Sequence, residues 1–234
     1  SASDWTSVGN FGRGQFNING GTALLKGEFH IGDNLGTTGI VAMVGGQLFS
    51  TNDLTAIGRY GFGQMTVSNA TAVARNVSVG RHTSAIGVLD LQANGSFFAI
   101  DDVSIGRFTN AVGYVFVNGG LLSLTNDTIW VGREGIGNLT VSNGTAQAKA
   151  MFVGKSEDGT NTPSGNVLLA GGTTVISSNV IVGMSGLSSG QISLAGGSLT
   201  VTNLAGTARL AVNNGSLSLN QGLIAADTVL LTNA

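Results

Sequence analysis

A three-residue phrase, a β-branched residue followed by glycine and usually a basic residue, recurs along nearly the whole chain and limits its fold more than any other feature. Its copies are Val8-Gly9, Ile31-Gly32, Ile57-Gly58-Arg59, Val79-Gly80-Arg81, Ile105-Gly106-Arg107, Val131-Gly132-Arg133, Val153-Gly154-Lys155, Val182-Gly183 and a degraded Ala205-Gly206. Successive glycines are 23, 26, 22, 26, 26, 22, 29 and 23 residues apart. A period of this length belongs to solenoids, in which a repeat buries its apolar face only against its neighbours.

Every repeat divides into three short segments of alternating polarity, which is the signature of a strand with one buried face. The first ends at the phrase, as in Asp102-Val103-Ser104-Ile105-Gly106. The second follows a loop that closes on Gly14, Gly39, Gly63, Gly87, Gly113, Gly137, Gly165 or Gly190, with apolar residues two and four positions later. A corner rich in Asn and Gly then leads to the third segment, because both residues tolerate positive φ where the chain must turn. Asn143-Gly144, Gly171-Gly172 and Asn214-Gly215 are read as such corners, and Ser216-Leu217-Ser218-Leu219 as a third segment. Three strands and three corners make one coil. The expectation is an all-β fold: a right-handed parallel β-helix of about nine coils forming one domain over residues 1–234. At one strand spacing per coil such a rod is on the order of 40 Å long.

Composition agrees with a packed fold rather than a disordered one, since 38 glycines and 9% charged residues accompany 42% hydrophobic content. A net charge of −2 gives no global attraction for nucleic acid or anionic membranes. Cysteine is absent, which removes disulfides and thiolate metal sites. No run of eighteen apolar residues supplies a membrane-spanning helix. Ser1-Ala2-Ser3 reads as a mature start after signal-peptide removal.

The succession of Val/Ile-Gly-Arg, glycine loop, alternating strand, Asn-Gly-Gly and second alternating strand resembles the β-strand-repeat regions of bacterial surface proteins. Autotransporter passenger-type and PEP-CTERM-associated repeats are notable examples, and the resemblance covers essentially the whole chain. It implies a secreted or cell-surface rod, and it is specific for architecture rather than activity.

Two outward columns are candidates for function. Arg59, Arg81, Arg107, Arg133 and Lys155 occupy one repeat position on five consecutive coils, where like charges about 5 Å apart repel. They read either as a stripe for an anionic polysaccharide or a subunit, or as side chains neutralised by Glu134, Asp101 or Asp127. The second column precedes the β-branched residue: His30, Ala56, Ser78 and Ser104, then Trp130, Phe152, Ile181 and Leu204. Its large members form an interface, lie under the long loop between Gly154 and Gly165, or turn inward through a change of register.

The ends carry a third expectation. No amphipathic capping helix is evident, and Trp5 at one end and Leu223 and Leu230 at the other are apolar. Subunits are therefore expected to stack head to tail, unless the chain is part of a longer rod or ends in an ordinary last coil.

Catalysis has little support, because the twelve acidic residues are scattered and His30 and His82 stand alone. No cofactor, metal or catalytic residue is assigned. The sequence reads as an extracellular structural protein that self-associates end to end. A monomeric adhesin or carbohydrate-binding rod is the alternative, and a polysaccharide-active enzyme the third.

Overall fold

The phrase strands lie directly over one another, in parallel and in register. Val8 pairs with Ile31, Ile31 with Ile57, Ile57 with Val79, Val79 with Ile105, Ile105 with Val131, Val131 with Val153, and Val153 with Val182. This register appears in a computed structural model that describes residues 4–157, 161–184 and 186–232, whose strands wind into a parallel β-solenoid of about nine turns. The described residues contain strands and no helix, so none is long and apolar enough to cross a membrane.

The phrase glycines sit at φ between 67° and 77° from Gly9 to Gly183. L residues avoid this region, and a Cβ on Gly106 would strike the carbonyl oxygen of Ile136 on the next coil. The second glycine column is stacked just as strictly, from Gly14 through Gly39, Gly63, Gly87, Gly113, Gly137 and Gly165 to Gly190. Corner residues Asn69, Asn94 and Asn143 also have positive φ, as the turn chemistry requires.

Three ladders of side chains enclose the core. The third runs Ala23, Leu48, Ala72, Phe97, Leu122, Ala146, Thr174, Leu199 and Ile224, so that a large ring at Phe97 sits over a small methyl at Ala72. Fully burying such aliphatic side chains contributes about 1.5–3 kcal/mol each, and neighbouring coils supply that burial.

The last repeats differ from the sequence reading. Val182 pairs with Val212, not Ala205, and Asn213 takes the glycine's place by donating its N–H to Val182 O at 2.9 Å. Ala205 and Gly206 lie in a turn of an enlarged corner, where the side chain of Asn203 caps Thr207. Gly215 belongs to the second glycine column, paired with Gly190, and Leu217 and Leu219 continue the second ladder. The final third segment is Leu223 to Ala226, and Thr228–Leu231 lies under the phrase stack with Leu231 opposite Val212. A ladder position defined by pairing survives the loss of its glycine.

Candidate functional site

The site lies on the outer face of the phrase stack. Along that face the column preceding the β-branched residue reads Ser7, His30, Ala56, Ser78, Ser104, Trp130, Phe152, Ile181, Ala211 and Leu230. Leu204 is not a member, because it is fully exposed in the enlarged corner, and Ala211 holds its place.

The large members of this column do not form an open patch. Trp130 and Phe152 stack with centroids 4.5 Å apart, and both are half-buried. The Arg133 guanidinium lies 4.9 Å from the Trp130 centroid and the Lys155 ammonium 4.2 Å from it. Basic side chains thus fold back across the aromatic rings, a cation–π arrangement that covers apolar surface and holds each charge. The long loop contributes as well: Glu157 accepts from Arg133 Nε at 2.5 Å, its N–H meets Glu134, and Asn161 donates to Glu134 at 2.8 Å. Residues 158–160 of that loop lie outside the described residues.

The basic column is paired unevenly, and by carboxylates other than those expected. Arg59 reaches Asp33 at 2.8 Å, Arg133 reaches Asp102 at 2.8 Å as well as Glu157, and Lys155 lies 3.8 Å from Glu157. Among the described residues neither Glu134 nor Asp127 pairs with the column, and Asp101 lies 4.0 Å from Arg75 instead. Arg81 and Arg107 have no ion pair among the described residues.

Burial first, and then the charge of Arg107, lowers the Arg81 pKa; burial and then Arg133 do the same to Arg107. Both guanidiniums are held in a crowded, partly dry place. Arg81 Nε donates to His82 Nε2 at 3.2 Å, which requires an unprotonated nitrogen there. Burial, followed by the charges of Arg81, Arg59 and Arg107, pushes His82 down to about 4, so the ring is neutral near pH 7.

Sequence reasoning missed an aromatic ladder two residues after the phrase glycine. Tyr60 and His82 stack at 4.2 Å with planes 8° apart, and His82 and Phe108 at 5.2 Å and 19°. Rings at one repeat position on three consecutive coils were the available signal. Arg59 lies over Tyr60, and Arg81 and Arg107 both flank Phe108.

Where the floor is small, at Ser78, a cavity of about 210 Å³ opens between Arg81 and Arg107 on one bank and Glu28, Asn76 and Asp102 on the other. Ser78 is only 1% exposed, and its Oγ has no hydrogen-bond partner. Nε of Arg107 is likewise buried without a partner. Among the described residues no three His, Cys, Asp or Glu side chains gather where they could hold a metal ion.

The ends form the second candidate surface. Among the described residues, Trp5–Val8 and Arg13–Leu24 at one end, and Gly215–Ala226 and Thr228–Leu231 at the other, each pair on one edge only. Trp5, Leu223 and Leu230 are exposed as expected, but on the outward faces of their strands rather than toward the open end. Trp5 faces outward and stacks on His30 at 6.0 Å, while Leu223 and Leu230 follow outward Ser198 and Ala211. The inward, uncovered residues of the last coil are Leu219, Val229 and Leu231, at 54%, 49% and 69% exposure. At the first coil Thr6, Val8, Phe16 and Leu25 line an open hollow of about 340 Å³. No family model, curated protein or solved structure matches the chain.

Proposed function

We propose that this solenoid is an extracellular structural element whose copies stack end to end into a fibre or surface assembly. One observation carries the reading: among the described residues the first and last coils leave opposite edges of the same three ladders unpaired, with uncovered inward side chains on the last coil and an open hollow on the first. In a parallel ladder the edge that one coil offers is complementary to the edge of the coil that follows. The last coil therefore presents what every internal coil presents to its successor, and the first presents what every internal coil presents to its predecessor.

Leu219, Val229 and Leu231 would close over the hollow lined by Val8, Phe16 and Leu25. Each is about half exposed, so sealing contributes on the order of 1 kcal/mol per side chain, and the new backbone ladder adds to it. A contact between unlike surfaces propagates into an open filament unless its rotation closes a ring. The surface location rests on the repeat phrase and on a composition rich in Gly, Asn, Ser and Thr with few charges.

The experiment is substitution at one end only. Leu219→Glu together with Leu231→Glu places charge on the last coil without disturbing an internal ladder. It is expected to leave the circular dichroism spectrum unchanged and to abolish assembly seen by light scattering. Assembly that persists unchanged in this variant contradicts the proposal.

A further inference from the structure

The groove between Arg81 and Arg107 has features that end-to-end stacking does not use. On five consecutive coils the basic position is occupied, yet only these two members, on adjacent coils, lack a carboxylate partner among the described residues. The acids nearby are already engaged. Asp102 accepts from Arg133 at 2.8 Å, Glu28 is hydrogen-bonded to His30 Nε2 at 2.7 Å, and Asp53 accepts the N–H of Leu54 at 2.8 Å. His82, the remaining neighbour, spends its Nε2 on Arg81.

Buried donors without acceptors are uncommon in folded proteins, and one that borders a cavity can be completed by a ligand or water there. Here two such atoms lie at one cavity: Ser78 Oγ, on a residue nine-tenths buried and more, and Arg107 Nε. Two forked cations facing the same space suit a carboxylate, which arginine binds through parallel hydrogen bonds.

The opposite bank decides what carries that carboxylate. Asn76 offers a donor and an acceptor, and Glu28, Asp53 and Asp102, which also line the cavity, are each engaged through one carboxylate oxygen and keep the other as an acceptor. A small inorganic anion would face those carboxylates and be repelled. A sugar acid meets both banks, with its carboxylate toward the arginines and its hydroxyls toward the amide and acids. Phe108, part-exposed beside both guanidiniums, adds apolar surface next to the arginines.

We propose that this groove is a binding site for one uronic acid unit of an acidic polysaccharide, with Arg81 and Arg107 holding the carboxylate and Ser78, Asn76 and Asp102 reading the hydroxyls. Coils repeat at about 4.8 Å, close to the advance of one pyranose in an extended glycan, so the chain lies along the rod. The site does not depend on stacking, because Asn76, Ser78, Arg81, Asp102 and Arg107 lie on two adjacent coils that are paired with further coils on both sides.

Isothermal titration of the full chain with hexamers of galacturonate and of guluronate tests the proposal, with neutral galactose hexamer and sodium sulfate as the comparison ligands. Saturable binding of an acidic hexamer is expected, with the neutral hexamer and sulfate each weaker by about tenfold or more. Arg81→Gln and Arg107→Gln are each expected to weaken the acidic hexamer by about tenfold, whereas Arg209→Gln on a remote coil leaves it unchanged. Should either arginine variant misfold by circular dichroism, Ser78→Val reads the same site by filling its floor, and it too should weaken binding. Absence of saturable binding to both acidic hexamers overturns the proposal, as does equal affinity for sulfate, equal affinity for the neutral hexamer, or indifference to all three site variants.

Discussion

The guanidinium of Arg133 lies 2.8 Å from the carboxylate of Asp102, a residue 31 positions earlier on the preceding coil. Both side chains are about four-fifths buried, so the pair is shielded from solvent in a way that surface ion pairs are not. Arg133→Gln should therefore lower unfolding stability by about 1.5–3 kcal/mol, chiefly by stranding Asp102. Urea denaturation of Arg133→Gln, Asp102→Asn and the double variant measures it, with the double variant less destabilised than the sum. Strict additivity contradicts a direct pair.

Gly106 and Gly20 make opposite predictions for the same substitution. Gly106 has φ of 67° and no room for a Cβ beneath Ile136 O, so Gly106→Ala should cost at least about 2 kcal/mol. Around Gly20 a Cβ would meet nothing, so Gly20→Ala should stay within about 0.5 kcal/mol of the parent. Thermal melts of the two variants compare them directly.

Acid should weaken the arginine-rich face. His82 has a folded-state pKa of about 4, below its ordinary 6.5, so the unfolded chain binds the extra proton between those values. Its contribution is complete above pH 6.5 and is lost as pH falls toward 4. Glu157 acts in the same direction at lower pH: burial raises its pKa, but the hydrogen bond and charge of Arg133 outweigh this and hold it below its ordinary value. The midpoint of thermal unfolding should fall across this window. His82→Phe, which keeps a ring between Tyr60 and Phe108 but cannot be protonated, should flatten the fall.

Thr174 interrupts an otherwise apolar ladder. It is fully buried between Ala146 and Leu199, and its hydroxyl has no partner. Thr174→Val replaces the hydroxyl with a methyl of similar volume and should raise stability by about 1 kcal/mol. An unchanged or lowered melting temperature would show that the hydroxyl is satisfied in solution.

The repeat architecture was legible because two glycine columns and a period of two are local signals. Ile105-Gly106 and Gly113 each declare their position without reference to any other coil. The last repeats were misread for the converse reason. Val212 is followed by Asn213, and only its pairing with Val182 marks it as the ladder member that Ala205 resembles in sequence. The basic column was legible too, but its pairing was not, since Arg59 reaches Asp33 across 26 residues and Arg133 reaches Asp102 across 31. The direction in which a long side chain folds is set by the space beside it, here by small Ala56, Ser78 and Ser104 next to large Trp130. That is a property of the assembled face.

End-to-end assembly is tested most directly by sedimentation velocity of the purified chain over a wide concentration range, with negative-stain images of the same samples. Species that lengthen with concentration while keeping the width of a single rod are expected. A single monomeric boundary at every concentration, with isolated short rods on the grid, would contradict it.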